Sequence, residues 1–452
     1  MALATVLSTI ACGSDDKSCD PVAQTGCSDG KVCEEVTAGM PACFAPVEVH
    51  GKVFDQATGA AIAGAQVVAL DVNGSALSDV AVTGTDGTYK LAVPSERAAD
   101  GTPSPLSLTL RADAAGYVAF PGGVRTALPV DTASAAMQSG AYVVQSSLTD
   151  IALQPQPAGT AAGSIKGKVD VADDHPGVLV VAENNGKGFV AIADRSGNYV
   201  IDDLADGGYT VSAYAKGHVY GSAQANVSAG AAATADLHLT QDQPGTLTGT
   251  ADIVATSGGG SMTSIVVMVE STFDATTGRG VVVPALRAPD PGTAPNVSGA
   301  FTITGVPPGK YVVLAAFEND GLVRDPDTCI AGTDIVHVQV AAGQTVAAPQ
   351  TFKVTGAITI TGPGVDGPEA VSAAPMLAWT AYPSTGSYTV HVYDSFGTDV
   401  WTMTGITGTS VQYAGPLEAG AFYQFHVFAI KIGGGNCPIS SSEDLRGVFY
   451  KQ

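Results

Sequence analysis

Four cysteines, Cys19, Cys27, Cys33 and Cys43, crowd into 25 residues of Gly- and Asp-rich sequence, with seven, five and nine residues between them. Cysteines at such density suit either a zinc centre or a set of disulfides. Structural zinc usually takes closely paired ligands such as C-x2-C, and no such pair occurs here. The stretch is also too short to bury an apolar core, and in an oxidising compartment such segments are stapled by disulfides. The expectation is therefore a two-disulfide knot, with three connectivities open. The remaining cysteines are Cys12, Cys329 and Cys437. Setting Cys12 aside leaves an even number, and Cys329 and Cys437 are expected to bridge two adjacent domains.

A second candidate for chemistry is FENDGLVRDPDTC at 317–329. Glu318, Asn319, Asp320, Asp325 and Asp327 could offer hard oxygen ligands to Ca2+. Their spacing fits no EF-hand loop, and Arg324 stands among the acids, so a solvated loop is the competing and preferred reading. No other cofactor is expected.

Catalytic signatures are sparse. The chain has no G-x-S-x-G, no H-E-x-x-H and no C-x-x-C, and its seven histidines, His50, His175, His218, His238, His337, His391 and His426, are scattered. The last four lie in alternating stretches, where a place on a strand face is expected. GPGVDG at 362–367 matches G-x-G-x-x-G in form. A dinucleotide site needs a helix opening there, with its N-terminus toward the pyrophosphate. Pro368 and the strand-like run beyond it deny that helix, so an interdomain loop is expected. The chain reads as non-catalytic.

The elements that must position these residues are strands. Of 452 residues 55 are Gly and 26 Pro, 14% are charged and 45% hydrophobic, which gives a turn-dense chain with enough apolar residues for several cores. Val, Thr, Ala and Tyr recur in short alternating runs. The net charge of −22 repels phosphate backbones, so nucleic acid is not an expected partner. No apolar run is long enough for a membrane-spanning helix.

Three segments share one grammar. Each opens on a Gly-bearing strand: HGKVFD, GSIKGKVDV, GTLTGTADIV. A valine-rich strand follows: AQVVALD, GVLVVAEN, SIVVMVES. Next comes a turn, with Asp194 and Gly197 before Tyr199, and Asn296 and Gly299 before Phe301. Asp or Asn hydrogen-bonds the backbone ahead of it, and Gly supplies positive φ. In the first copy Gly84 takes the Asp place, while Gly87 and Tyr89 keep theirs. A second turn, L/V-x-x-G-x-Y, holds Leu204, Gly207 and Tyr209, then Val306, Gly309 and Tyr311. The first copy replaces it with an insertion, SERAADGTPSP at 95–105. On these ordered turns, residues 47–353 resemble the carboxypeptidase regulatory-like domain. That resemblance implies a transthyretin-like β-sandwich used three times, with no chemistry of its own. The last hundred residues carry Trp379 in an early strand and L-x-x-G-x-x-Y-x-F-x-V-x-A at Leu417, Gly420, Tyr423, Phe425, Val427 and Ala429. This resembles a fibronectin type III domain, and implies that Tyr423 bonds backbone upstream.

The opening MALATVLSTIAC resembles the end of a bacterial lipoprotein signal peptide, which implies lipidation at Cys12. The expected organisation is all-β: a leader at 1–12, a cysteine-rich stalk at 13–46, sandwiches at 47–155, 163–241 and 245–353, and a fibronectin-like sandwich at 355–452. The expected protein is an exported outer-membrane or cell-surface lipoprotein. It would hold binding, adhesion or spacer modules in a rod, with a lipid in the membrane and a protein or carbohydrate ligand. The alternatives are a chain of a secreted hydrolase and a subunit of a surface filament.

Overall fold

The structure is a computed structural model. It describes residues 19–452 except 22–24, 29, 72–73, 123–124, 158, 160–162, 172–176, 229, 256–262, 276–277, 291–295, 318–334, 434–437 and 444. The chain is all-β: the described residues form many short strands in separate sheets, and two 3-10 turns, Thr132–Ser134 and Glu270–Thr272, are the helical elements among them. No described helix is long and apolar enough to cross a membrane.

The three repeats build one pattern. The opening strand, Val47–Asp55, Gly163–Lys168 or Gly245–Ala255, lies at the centre of a sheet. One edge pairs antiparallel with the strand between the two turns, Thr88–Val93, Asn198–Leu204 or Gly299–Val306. The other edge pairs parallel with the closing strands: Ala141–Val144 and Ile151–Pro155, then Ala232–Thr234, then Thr345–Ala347 and Phe352–Thr355. A second sheet of four strands closes each core. Alternation does the sorting, since Val47, Val49 and Val53 turn inward and are fully buried.

The repeated residues have local reasons. Asp194 accepts from the Ser196 and Asn198 amides at 2.9 and 2.8 Å, and Gly197 takes φ +82°. Where Gly84 replaces the aspartate, Asp86 caps the Thr88 amide instead, at 3.0 Å. In the second turn Tyr209 donates to the Ala205 carbonyl at 2.9 Å, and Tyr311 to the Pro307 carbonyl at 2.6 Å. The Gly of the opening strand answers a close approach. A Cβ on Gly51 would lie 1.9 Å from the Thr149 oxygen, and one on Gly167 1.8 Å from the Ala235 oxygen. Those are the carbonyls to which the Tyr89 and Tyr199 hydroxyls donate. In the third copy Phe301 has no hydroxyl, and its ring lies beneath Gly249 and against Phe352.

The last unit sets a three-stranded sheet, Ile360–Gly362, Met376–Trp379 and Ser410–Gln412, against a larger one centred on Thr385–Asp394 and Phe422–Lys431. Trp379 and Tyr423 are both buried in its core, and the Tyr423 hydroxyl accepts the Glu418 amide at 3.1 Å. The D-x-x-G turn also occurs here, unforeseen: Asp394 accepts from the Phe396 and Thr398 amides, both at 2.9 Å, and Gly397 has φ +74°.

The sandwiches do not line up as the expected rod. The first touches the other three. Val68, Leu70 and Ala76 cluster with Ile192 of the second. Arg279 of the third donates to the Arg125 carbonyl and the Thr126 hydroxyl at 2.8 and 3.1 Å. Phe54 meets Phe396 of the fourth edge-on at 5.8 Å. The strand Leu179–Asn184 explains the compactness. Val180 and Ala182 enter the core of the second sandwich, while Leu179 and Val181 enter that of the third. A strand apolar on both faces must be covered on both, and end-to-end stacking would leave one face wet.

Candidate functional site

The four clustered cysteines pair as Cys19–Cys33 and Cys27–Cys43, with Cα separations of 5.7 and 5.6 Å. The short hairpin Val32–Glu34 with Ala42–Phe44 brings Cys33 opposite Cys43, and each reaches back to a different upstream cysteine. The sulfurs of Cys19, Cys27 and Cys43 lie within 4.8 Å of one another. All three are in disulfides, so none is a thiolate for zinc.

The insertion at 95–105 is where this segment docks. Arg97 donates to the Glu35-side backbone run through paired bonds: its amide to the Glu35 carbonyl, and its carbonyl accepting the Thr37 amide, both at 2.8 Å. Its side chain is 2% exposed and meets the Glu34 carboxylate, which also accepts the Ser95 amide at 3.0 Å. A second guanidinium nitrogen donates to the Ala45 carbonyl at 2.8 Å, and the plane lies over the rings of Phe44 and Tyr142. Burial pushes the Glu34 carboxyl above its ordinary range, against the opposing pull of Arg97.

Cys12, Cys329, Cys437 and the Ca2+ candidates Glu318, Asn319, Asp320, Asp325 and Asp327 lie outside the described residues, as does His175. Of the other histidines, four have carboxylate neighbours: His50 with Glu48, His238 with Asp170, His337 with Glu270, and His391 with Asp399. His391 most resembles a catalytic arrangement, because Thr402 is also close. Both Asp399 and the Thr402 hydroxyl meet the same ring nitrogen, Nδ1, at 2.7 and 3.0 Å. A relay needs the two on opposite nitrogens, so the imidazole does not stand between them, and the Thr402 hydroxyl donates straight to the Asp399 carboxylate at 2.8 Å.

Among the described residues, clefts open between sandwiches in two places. The first, about 460 Å3, lies between the first and second units and mixes charges: Arg111, Lys187, Asp113, Asp202 and Asp203 line it with Tyr117 and Phe189. The second, about 510 Å3, lies between the first and fourth, with the GPGVDG loop, Asp131 and the stacked pair Phe422 and Tyr450 on its walls. The strand Glu369–Val371 follows that loop, so no helix N-terminus faces it. Sequence motifs gave no sign of the first cleft and, for the second, gave only GPGVDG as a loop between domains, because each cleft is assembled from separate units.

No family model matches the chain, and no curated protein matches it. Among solved structures it is similar to the Bacillus anthracis TIE protein, at 12% identity over 86% of this chain and 68% of that one, with a TM-score of 0.16. It is also similar to the shaft pilin SpaA of Lactobacillus rhamnosus GG, at 14% identity over 43% and 96%, TM-score 0.16. A DUF3823 family protein from Bacteroides ovatus matches at 11% identity over 46% and 98%, TM-score 0.21. Superposition at that level carries no functional weight.

Proposed function

We propose that the protein is an exported, non-catalytic binding or adhesion module of a bacterial cell surface, tethered through a lipid on Cys12. The observation that carries this reading is the pair of disulfides Cys19–Cys33 and Cys27–Cys43 in a segment with almost no core. Such staples persist in oxidising, extracytoplasmic compartments. The acidic composition supports it, since a net charge of −22 keeps neighbouring molecules and anionic lipid surfaces apart. The three repeated sandwiches resemble carboxypeptidase regulatory-like domains and the fourth a fibronectin type III domain. Ligand contacts would come from the inter-strand loops and from the seams between units. The seams here are clefts of ligand size.

Fractionation in the native host tests the reading. Wild type is expected in the membrane fraction and open to protease added to whole cells, and Cys12→Ser is expected in the soluble exported fraction. A Ser variant as membrane-bound as wild type would end the tether, and four alkylatable thiols at 19–43 in the native protein would end the exported assignment.

A further inference from the structure

We infer that the cleft between the first and second sandwiches binds a neutral saccharide. This deepens the binding-module reading above and rests on it.

The cleft is a built feature with fixed walls. Asp203, on the second sandwich, sits at φ +59°, a left-handed conformation that a non-glycine residue seldom adopts. In that strained position both its carboxylate oxygens accept the Gly116 amide of the first sandwich, at 2.9 and 3.1 Å. Asp79 of the first sandwich in turn accepts the Arg195 amide of the second at 2.8 Å, and Gln66 donates to the Val200 carbonyl at 3.3 Å. Three polar ties between the two sandwiches set the width before any ligand arrives, which lowers the ordering cost of binding.

The groups that remain inside select the ligand. Arg111 spends its fork on Asp113, at 2.8 and 3.0 Å, so the pair presents a flat edge that both donates and accepts. Gln156 uses its amide nitrogen on the Tyr117 carbonyl at 3.2 Å, and its amide oxygen is left as an acceptor. Asp202 has no hydrogen-bond partner among the described residues. Burial, reinforced by Asp203 and Asp113, raises its pKa, so it holds a proton more readily than an ordinary aspartate. Phe189 adds an apolar ring, with the Lys187 ammonium 5.1 Å from its centre. An anion would meet three carboxyl groups, and a cation would meet Arg111 and Lys187. A neutral ligand with many hydroxyls, each able to donate and accept, and with an apolar C–H face for the ring, meets no like charge. A sugar ring has that chemistry, and about 460 Å3 is within the usual range for small-molecule sites.

The test is calorimetric titration of the full chain with neutral di- and trisaccharides chosen from a glycan array, alongside a peptide array. Binding of at least one neutral saccharide is expected, weakened about tenfold by Asp202→Ala and by Gln156→Ala with melting unchanged. Phe189→Leu should weaken binding as well, and Tyr450→Ala, in the other cleft, should bind as wild type does. A saccharide bound equally well by the Asp202 and Gln156 variants would overturn this site and leave the module reading intact. Binding to peptides alone would overturn the saccharide and keep the module. Silence on both arrays would end both.

Discussion

The cysteine-rich segment and the sandwich it docks on are held by opposite means. Residues 19–46 bury few apolar side chains, and their order comes from two disulfides and from one ion pair, Glu34 with Arg97, shielded from water. The first sandwich has a continuous apolar core running from Val47 to Leu153. A segment of that size cannot bury enough surface to offset the entropy of ordering it, whereas a sandwich can. Covalent and ionic devices therefore concentrate where the hydrophobic effect runs short. The comparison also explains the odd repeat. The first copy surrendered its second Gly turn for the 95–105 insertion, and the insertion supplies Arg97.

The largest effect should come from a sandwich. Gly167→Val drives a side chain into the Ala235 carbonyl, a backbone clash that no rotamer relieves. The second sandwich is expected to lose its protected amides in hydrogen exchange; native-like protection would mean that this close approach is wrong.

Arg97→Ala should come next, at about 3–5 kcal/mol, because it strands the buried Glu34 carboxylate. The loss should be local, with residues 30–46 becoming protease-sensitive while the sandwich melts as before. The double change Arg97→Met with Glu34→Leu should recover much of the docking. If it does not, the pair is doing more than compensating its own burial.

Acid should separate the regions differently. His426 lies on the face of the last unit turned toward the first, and burial, then His391 and Arg279, hold its pKa down to about 4. Its folded pKa lies below the unfolded value, so the unfolded chain binds more protons between pH 6.5 and about 4. Stability is full above that window and falls as pH drops through it, by up to about 3 kcal/mol. The cysteine-rich segment has no histidine, and its buried Glu34, whose carboxyl is held above its ordinary range, responds to acid in the opposite sense, so it should not share the loss. Melting curves of His426→Gln that keep the wild-type pH slope would assign the acid response elsewhere.

Tyr311→Phe should give the smallest effect, about 1 kcal/mol, by removing the bond to the Pro307 carbonyl. The third sandwich already does without the hydroxyl at Phe301, and a melting point unchanged by the substitution would show that the second turn can as well.

Much of this was legible in the chain because its causes are local. Gly197, at φ +82° just after Asp194, marks a turn closed by its own neighbours, and Tyr311 bonds the Pro307 carbonyl four positions back. Trp379 and Tyr423 stand out for the same reason, as large aromatics at the right phase of alternating strands. The Asp394 turn carries the same local signal, with Gly397 three residues on. The docking role of Arg97 was not legible. A single arginine in a polar insertion looks solvated until Glu34, 63 positions upstream, is folded onto it.

Sequence alone determined the all-β class, the three repeated sandwiches and the fact that four cysteines would staple a coreless segment. These follow from a period of two, from turns that only Gly, Asp or Asn can make, and from the ratio of apolar residues to length. Tertiary structure decided which cysteine met which, that the units gather around the first, and where the clefts open. Leu179 and Val181 show why. Alternation says that they face away from Val180 and Ala182, but only the arrival of Tyr311 and Val313 from more than a hundred residues away says what covers them.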